Sequence, residues 1–196
     1  DLKMGSHGPD EYLRPFYVQR QNGVDVVVTN DDPLVQKPTA YSQINLMQKV
    51  RFQPNEKWDF QYGFHFSETS SYSRYDRHIR YNNAGLPRYG EFDYGPQKWI
   101  MNNLSISNTQ ATKVYDELSI RMAHQFFVLS RISRNINNPN RATRIEKVNA
   151  VSVNADFTKK TSGNNAVFYG VEFVTNDVNS EGIDENIVTG ISQTGP

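Results

Sequence analysis

The chain has 196 residues, the length of a single domain, and its 21 basic and 21 acidic side chains balance at a pI near 7.1. That balance gives no global field to recruit nucleic acid, and no polybasic block points to a membrane surface. Cysteine is absent, which excludes a disulfide scaffold and a thiol-ligated metal; no apolar run approaches the roughly 18 residues of a membrane helix, and the opening DLKMGSHGPD lacks the basic and apolar regions of a signal peptide.

Weak alternation and the breakers Gly5, Gly8, Pro9, Pro15, Pro33 and Pro38 mark residues 1–40 as a loop region. Inside it, Asn22-Gly23 lies between YVQRQ and VDVVVTN. Asn-Gly suits the two positive φ values of a type I′ turn, so a small hairpin is expected. Residues 41–66 carry the clearest pattern. Ile44, Leu46, Val50, Phe52, Trp58, Phe60, Tyr62, Phe64 and Phe66 fall on even numbers, and Gln43, Asn45, Lys49, Arg51, Asp59, Gln61 and His65 on odd ones. A period of two means extended strands with one apolar face, here joined through Pro54–Lys57 as an antiparallel hairpin.

Residues 67–98 read as a long loop rich in Tyr, Arg, Ser and Gly. Alternation resumes over 99–128, first with Ile100, Leu104 and Ile106. Val114, Leu118, Ile120 and Met122 then oppose Glu117, Ser119, Arg121 and Gln125. Residues 130–144 read as a loop. Over 146–176 the apolar set moves to odd numbers, Val151, Val153, Ala155 and Phe157, then Val167, Tyr169, Val171 and Phe173; residues 177–196 read as polar loop. No long helix is expected.

Short turns follow the first, third and fifth strands, and long loops follow the second, fourth and sixth. That asymmetry, strands of about nine to eleven residues, and aromatics at strand ends (Phe52, Trp58, Phe66, Trp99, Phe157) are features of outer-membrane barrels. The fold class expected is therefore all-β: an antiparallel transmembrane β-barrel segment of about six strands plus a loop hairpin, where complete barrels begin at about eight. The missing strands are expected in polypeptide beyond both ends.

YSQINLMQKVRF, WDFQYGFHFSETSSYSRYDRHIRY and LPRYGEFDYGPQKWIMNNLSI resemble the barrel of TonB-dependent outer-membrane receptors of Bacteroidota-type bacteria. EKVNAVSVNADF, NAVFYGVEFVTNDVNSEGID and DLKMGSHGPDEYLRPFYVQRQNGVD are similar to other segments of that family. The resemblance implies a parent barrel of about 22 strands in the outer membrane of a Gram-negative cell. It also implies a plug domain, which this chain lacks, and import of a scarce solute (siderophore, haem, cobalamin or glycan) with energy delivered by TonB. The implied partners are outer-membrane lipid, the remainder of the barrel and plug, TonB through the parent protein, and a surface lipoprotein. Transport would belong to the intact parent, with no cofactor and no nucleic acid.

In the 67–98 loop, Tyr72, Arg74, Tyr75, Arg77, His78, Arg80, Tyr81, Arg88, Tyr89 and Tyr94 interleave aromatic faces with fixed cations. Guanidinium forks grip carboxylates or phosphates, and tyrosine faces stack on rings or sugars, which makes this loop the candidate ligand contact; packing of the loop on itself is the structural alternative. On the polar face of the strands, Lys49, Arg51, Gln61, His65, Glu117, Arg121, Asp156 and Glu172 are candidate lumen-facing residues.

The alternative fold is a soluble extracellular β-sandwich, a carbohydrate-binding or adhesion module with its apolar face buried on a second sheet. Catalysis is not expected. His65 precedes Ser67 and Glu68, and Asp76-Arg77-His78 offers an acid–base pair, but neither a Gly-x-Ser-x-Gly elbow nor His-Glu-x-x-His occurs. No metal site is expected either. Asp177, Asn179, Glu181 and Gly182 imitate a calcium loop that ends on Val188 where a bidentate Glu belongs, and His7, His78 and His124 lack ligand spacing.

Overall fold

The computed structural model of the chain describes residues 1–5 and 10–196; His7 lies outside the described residues. Four short strands open the chain: β1 (Leu2–Lys3), β2 (Phe16–Gln21), β3 (Val24–Thr29) and β4 (Val35–Gln36). β1 pairs with β4, and β2 with β3, both antiparallel. The β2–β3 turn is Asn22-Gly23, at φ 51° and 81°, the left-handed values that glycine and asparagine tolerate best.

The rest of the chain builds one antiparallel sheet. Its elements are β5 (Gln43–Asn55), β6 (Trp58–Thr69), β7 (Tyr72–Ser73), a helical turn α1 (Tyr75–His78), β8 (Tyr89–Tyr94), β9 (Lys98–Asn108), β10 (Glu117–Asn135), β11 (Asn140–Lys160), β12 (Ala166–Asn186) and β13 (Ser192–Gly195). The strand order is β13-β12-β11-β10-β9-β6-β5. β9 pairs with β10 over Leu118–Val128, and β8 takes the same flank higher up, over Arg131–Asn135. The excursion of residues 67–98 thus extends the sheet through β7 and β8.

The register aligns side chains in rows. Phe52 faces Phe60, Phe60 faces Ile106, Ile106 faces Ile120, Ile120 faces Ala155, and Ala155 faces Val171. Two residues along, Val50, Tyr62, Leu104, Met122, Val153 and Phe173 form a parallel row. The intervening row, Arg51, Gln61, Ser105, Arg121, Asn154 and Glu172, points to the opposite face. Apolar positions are even-numbered through β10 and odd-numbered in β11 and β12, so parity changes at the Ile136–Pro139 turn.

Two findings overturn the transmembrane barrel segment. Among the described residues the sheet is open: β5 pairs only with β6, β12 has β13 on its outer side only at Gly182–Glu185, and the two edge strands do not pair with each other. What is buried is polar. Arg14, Asp25, Asn30, Gln36, His78, Asn108, Ser130 and Arg134 are buried, whereas Val18 is the one large apolar side chain so buried among the described residues. A lipid-spanning barrel needs every strand edge paired, and here long edges are free. No helix of the described residues is long and apolar enough to cross a membrane.

Strand limits also differ from the sequence reading. Residues 130–144 are mostly strand, the upper parts of β10 and β11, with a tight connection at Ile136–Pro139. The tail after Asn176 continues β12 to Asn186, each residue opposite one of β11. Asp177, Asn179 and Glu181 therefore stand two apart along an extended strand, and Glu181 accepts a hydrogen bond from Lys147 Nζ at 2.8 Å.

Candidate ligand-binding cleft and the polar network beneath it

A chain of ion pairs joins the opening unit to the sheet. Asp25 on β3 accepts hydrogen bonds from Arg134 Nη1 at 2.6 Å and Nη2 at 2.8 Å, from the Asn137 backbone N–H at 2.8 Å, and from Arg20 Nη1 at 3.1 Å. Arg134 Nε lies 3.3 Å from Glu91 Oε1 on β8. Glu91 in turn accepts from Arg141 Nε at 2.6 Å and Nη2 at 2.9 Å, and Arg141 Nη1 reaches Glu185 on β12 at 3.3 Å. Five segments are tied by one alternating series of charges. A side chain on Gly90 would put its Cβ 2.6 Å from Arg134 Nη2, so only glycine leaves room for this guanidinium.

Burial alone would raise the Asp25 carboxyl, but the bonds from Arg134, Asn137 and Arg20 outweigh it and hold the group below the usual carboxylate range. Glu91 is held down in the same way, with burial opposed by Arg141 and Arg134. Arg14 is different: desolvation lowers its guanidinium to about 10, only partly offset by Tyr81.

The structure divides the ten residues nominated in the 67–98 loop. Several are packed inward. Arg74 donates from Nη1 to the Tyr94 hydroxyl at 2.7 Å, stacks 5.0 Å over that ring, and pairs with Asp76. Tyr72 meets Tyr94 edge to face at 6.1 Å and accepts from Gln97 Nε2 at 3.0 Å. Arg77 lies 5.4 Å over Phe92, and Phe92 meets Tyr89 edge to face at 5.0 Å. His78 is buried, 4.0 Å from Asp93 Oδ1, while the Ser73 hydroxyl donates to the same carboxylate. Burial pushes Asp93 up, but His78 and Ser73 keep it below its ordinary range. Serine and histidine both turn to the acid, and no hydrogen bond joins Ser73 to His78 among the described residues.

Tyr75, Arg80, Tyr81 and Arg88 stay exposed. Tyr81 and Arg88 border an open cleft of about 630 Å³ together with Asn82, Asn83, Ala84, Asn135 and Ile136. Its walls are fixed by backbone. Tyr81 bridges to Pro87, and the Asn82 carbonyl oxygen of the side chain accepts from the N–H groups of Ala84 at 3.0 Å and Leu86 at 3.1 Å. Arg88 N–H donates to Arg80 O at 2.8 Å, and Ile136 N–H donates to Arg88 O at 3.1 Å, tying this turn to the end of β10. Arg88 has no ion partner among the described residues and rests 5.2 Å over the Tyr89 ring.

The candidate lumen residues share the polar face of an open sheet, with no enclosed interior among the described residues. Lys49, Arg51, Gln61 and His65 border one shallow cleft of about 420 Å³ with Asn103 and Ser105. Arg51 grips Asp59 through Nε and Nη2, both at 2.9 Å. Arg121 and Asp156 approach to 3.8 Å; Glu117 lies 4.0 Å from Lys160, and Glu172 stands on edge strand β12. His65 lies 6.0 Å from the Trp99 ring, and the Ser67 hydroxyl is committed to Asn45 at 2.7 Å.

Sequence reasoning missed Asp25, Glu91, Arg134 and Arg141, which hold the site, and the amides Asn82, Asn83 and Asn135, which line it. The run NINNPN at residues 135–140 was the available signal, since asparagine and proline crowd at tight turns.

Comparison with protein-family models, with curated proteins and with solved structures finds no match. The open sheet and the polar interior overturn the resemblance to TonB-dependent receptors. The outer-membrane localisation, the nutrient import, and the lipid, plug, barrel-remainder, TonB and lipoprotein partners fall with it.

Proposed function

We propose that this chain is a carbohydrate-recognition module and acts by binding rather than catalysis. The observation that carries the reading is the cleft at Tyr81: this residue 46 % exposed, amides from Asn82, Asn83 and Asn135, and the Arg88 guanidinium, without an ion partner among the described residues, around one opening. Sugars present flat C–H faces and rings of hydroxyls that donate and accept in alternation. A tyrosine face covers the first, and the Asn83 and Asn135 amides, each both donor and acceptor, match the second together with the Asn82 NH2, whose oxygen is held by Ala84 and Leu86. Arg88 adds a fork for a carboxylate, which favours uronate-bearing glycans. The site lies on loops held by a rigid sheet, a common arrangement for recognition. Support for binding over hydrolysis comes from the geometry of Ser73, His78 and Asp93, where the hydroxyl faces the acid instead of the imidazole.

Calorimetric titration of the whole chain with neutral and uronate-containing oligosaccharides tests this. Saturable binding of the uronate series is expected. Tyr81→Ala should weaken it by about tenfold or more, equivalent to about 1.4 kcal/mol, and Arg88→Gln should remove the preference for acidic sugars. Absence of saturable binding, or equal binding by Tyr81→Ala, rejects the reading.

A further inference from the structure

The two edge strands of the main sheet differ from its middle. In the row Phe52, Phe60, Ile106, Ile120, Ala155 and Val171, the four central residues are half-buried by their lateral neighbours, while Phe52 and Val171 are 62 % and 71 % exposed. Ile44, Leu46 and Val50 on β5, and Phe173 and Val167 on β12, are similarly bare. Both edges are long, and neither carries a proline within its central portion, so each presents unpaired backbone N–H and C=O groups as a template for another strand.

Charge and direction say which strand fits. β5 carries Lys49 and Arg51 and no acid, whereas β12 carries Glu172, Asp177, Glu181, Asp184 and Glu185 and no base. Pairing β12 with β12, or β5 with β5, would set like charges together, which is unfavourable across strands. Five antiparallel steps separate β5 from β12 across the sheet, so the two run in opposite directions. A β5 laid beside β12 therefore continues the alternation already present.

We propose that β5 of one copy of this chain pairs antiparallel with the Ala166–Val178 edge of β12 of a second copy, head to tail. The register sets Lys49 opposite Glu172, and neither has an ionic partner among the described residues. The same register puts Val50 against Val171 and Phe52 against Tyr169, so the row ending at Val171 passes into Val50 of the next copy, while Phe173 comes opposite Gln48. Arg51 then comes opposite Gly170, where there is no side chain to displace it. Being heterologous, the contact generates a ring if its rotation closes and a filament if it does not.

The absence of cysteine allows a direct test on the full chain. One preparation carries Lys49→Cys, another Glu172→Cys, and each is checked for an unchanged β spectrum by circular dichroism. Under mild oxidation the equimolar mixture should form mixed disulfide dimers at least about tenfold more abundantly than either preparation alone, since opposed residues lie within disulfide reach. Sedimentation of the unmodified chain should show assemblies that Glu172→Lys dissociates, and that reform when this variant is mixed with Lys49→Glu. Crosslinking of either single variant with itself at the level of the mixture overturns the head-to-tail arrangement. A monomer at all concentrations in sedimentation overturns the proposal altogether.

Discussion

Replacing Asp25 by Asn is the most informative single change, because it removes one charge from the buried series and leaves its shape. The Arg134 and Asp25 side chains are 1 % and 0 % exposed, so the guanidinium cannot recover water where it stands. Removing one partner of such a pair costs about 3–5 kcal/mol, most of it from the stranded ion. Asp25 is on β3 and Arg134 on β10, so the penalty falls on the docking of the opening unit rather than on the main ladder. At about 1.4 kcal/mol per tenfold, the lower bound gives about 10²-fold more frequent undocking. Hydrogen exchange followed by mass spectrometry reads this as lost protection in β2 and β3, with β6 and β9 unchanged. The companion variant Asp25→Leu with Arg134→Met removes both members of the buried pair, leaving Arg20 part-exposed and Glu91 still held by Arg141, and should recover much of the loss. Unchanged exchange in Asp25→Asn, or a double variant as damaged as the sum of its singles, refutes the account.

Two further outcomes are expected. Asp25, Glu91 and Asp93 all sit below their ordinary range in the folded chain. Their stabilisation is complete above the unfolded value of about 4 and is lost as pH falls through the lower folded values. The thermal midpoint should thus be level from pH 7 to about 5 and drop in stronger acid, with a shallower drop in Asp25→Asn; a midpoint that climbs on acidification contradicts this. In the β2–β3 turn, Gly23→Val forces a branched side chain to φ near 81° and should cost the hairpin about 1–2 kcal/mol or more. Gly23→Asn should restore most of that loss in denaturant titration.

The period-two pattern reached the strand faces because burial between neighbouring strands selects side chains by parity. Phe52, Phe60, Ile106 and Ile120 are even-numbered, and they stand in one row. The pattern failed where pairing is carried by the backbone alone. Arg131–Asn135 and Asp177–Asn186 are strands whose side chains meet charge and water rather than an apolar layer, so no alternation marks them. Closure of the sheet was illegible for a related reason: alternation specifies two faces but says nothing about what lies beyond the last strand. Within the 67–98 segment, composition named the right residue types. It could not tell Arg74, consumed by Asp76 and Tyr94, from Arg88, which has no ion partner among the described residues, because that division depends on how the segment folds back to set Tyr94 on β8 against Arg74.

The switch from even to odd numbering at Ile136–Pro139 has a consequence for how this polypeptide tolerates changes in length. With that turn holding its shape, deleting one residue between Asn140 and Val148 would rotate Val151, Val153 and Phe157 to the wet side and carry β12 along. Deleting two would keep every side chain on its own face, two positions along the ladder. Viable insertions and deletions in this half of the chain should come in pairs, or be absorbed by a bulge.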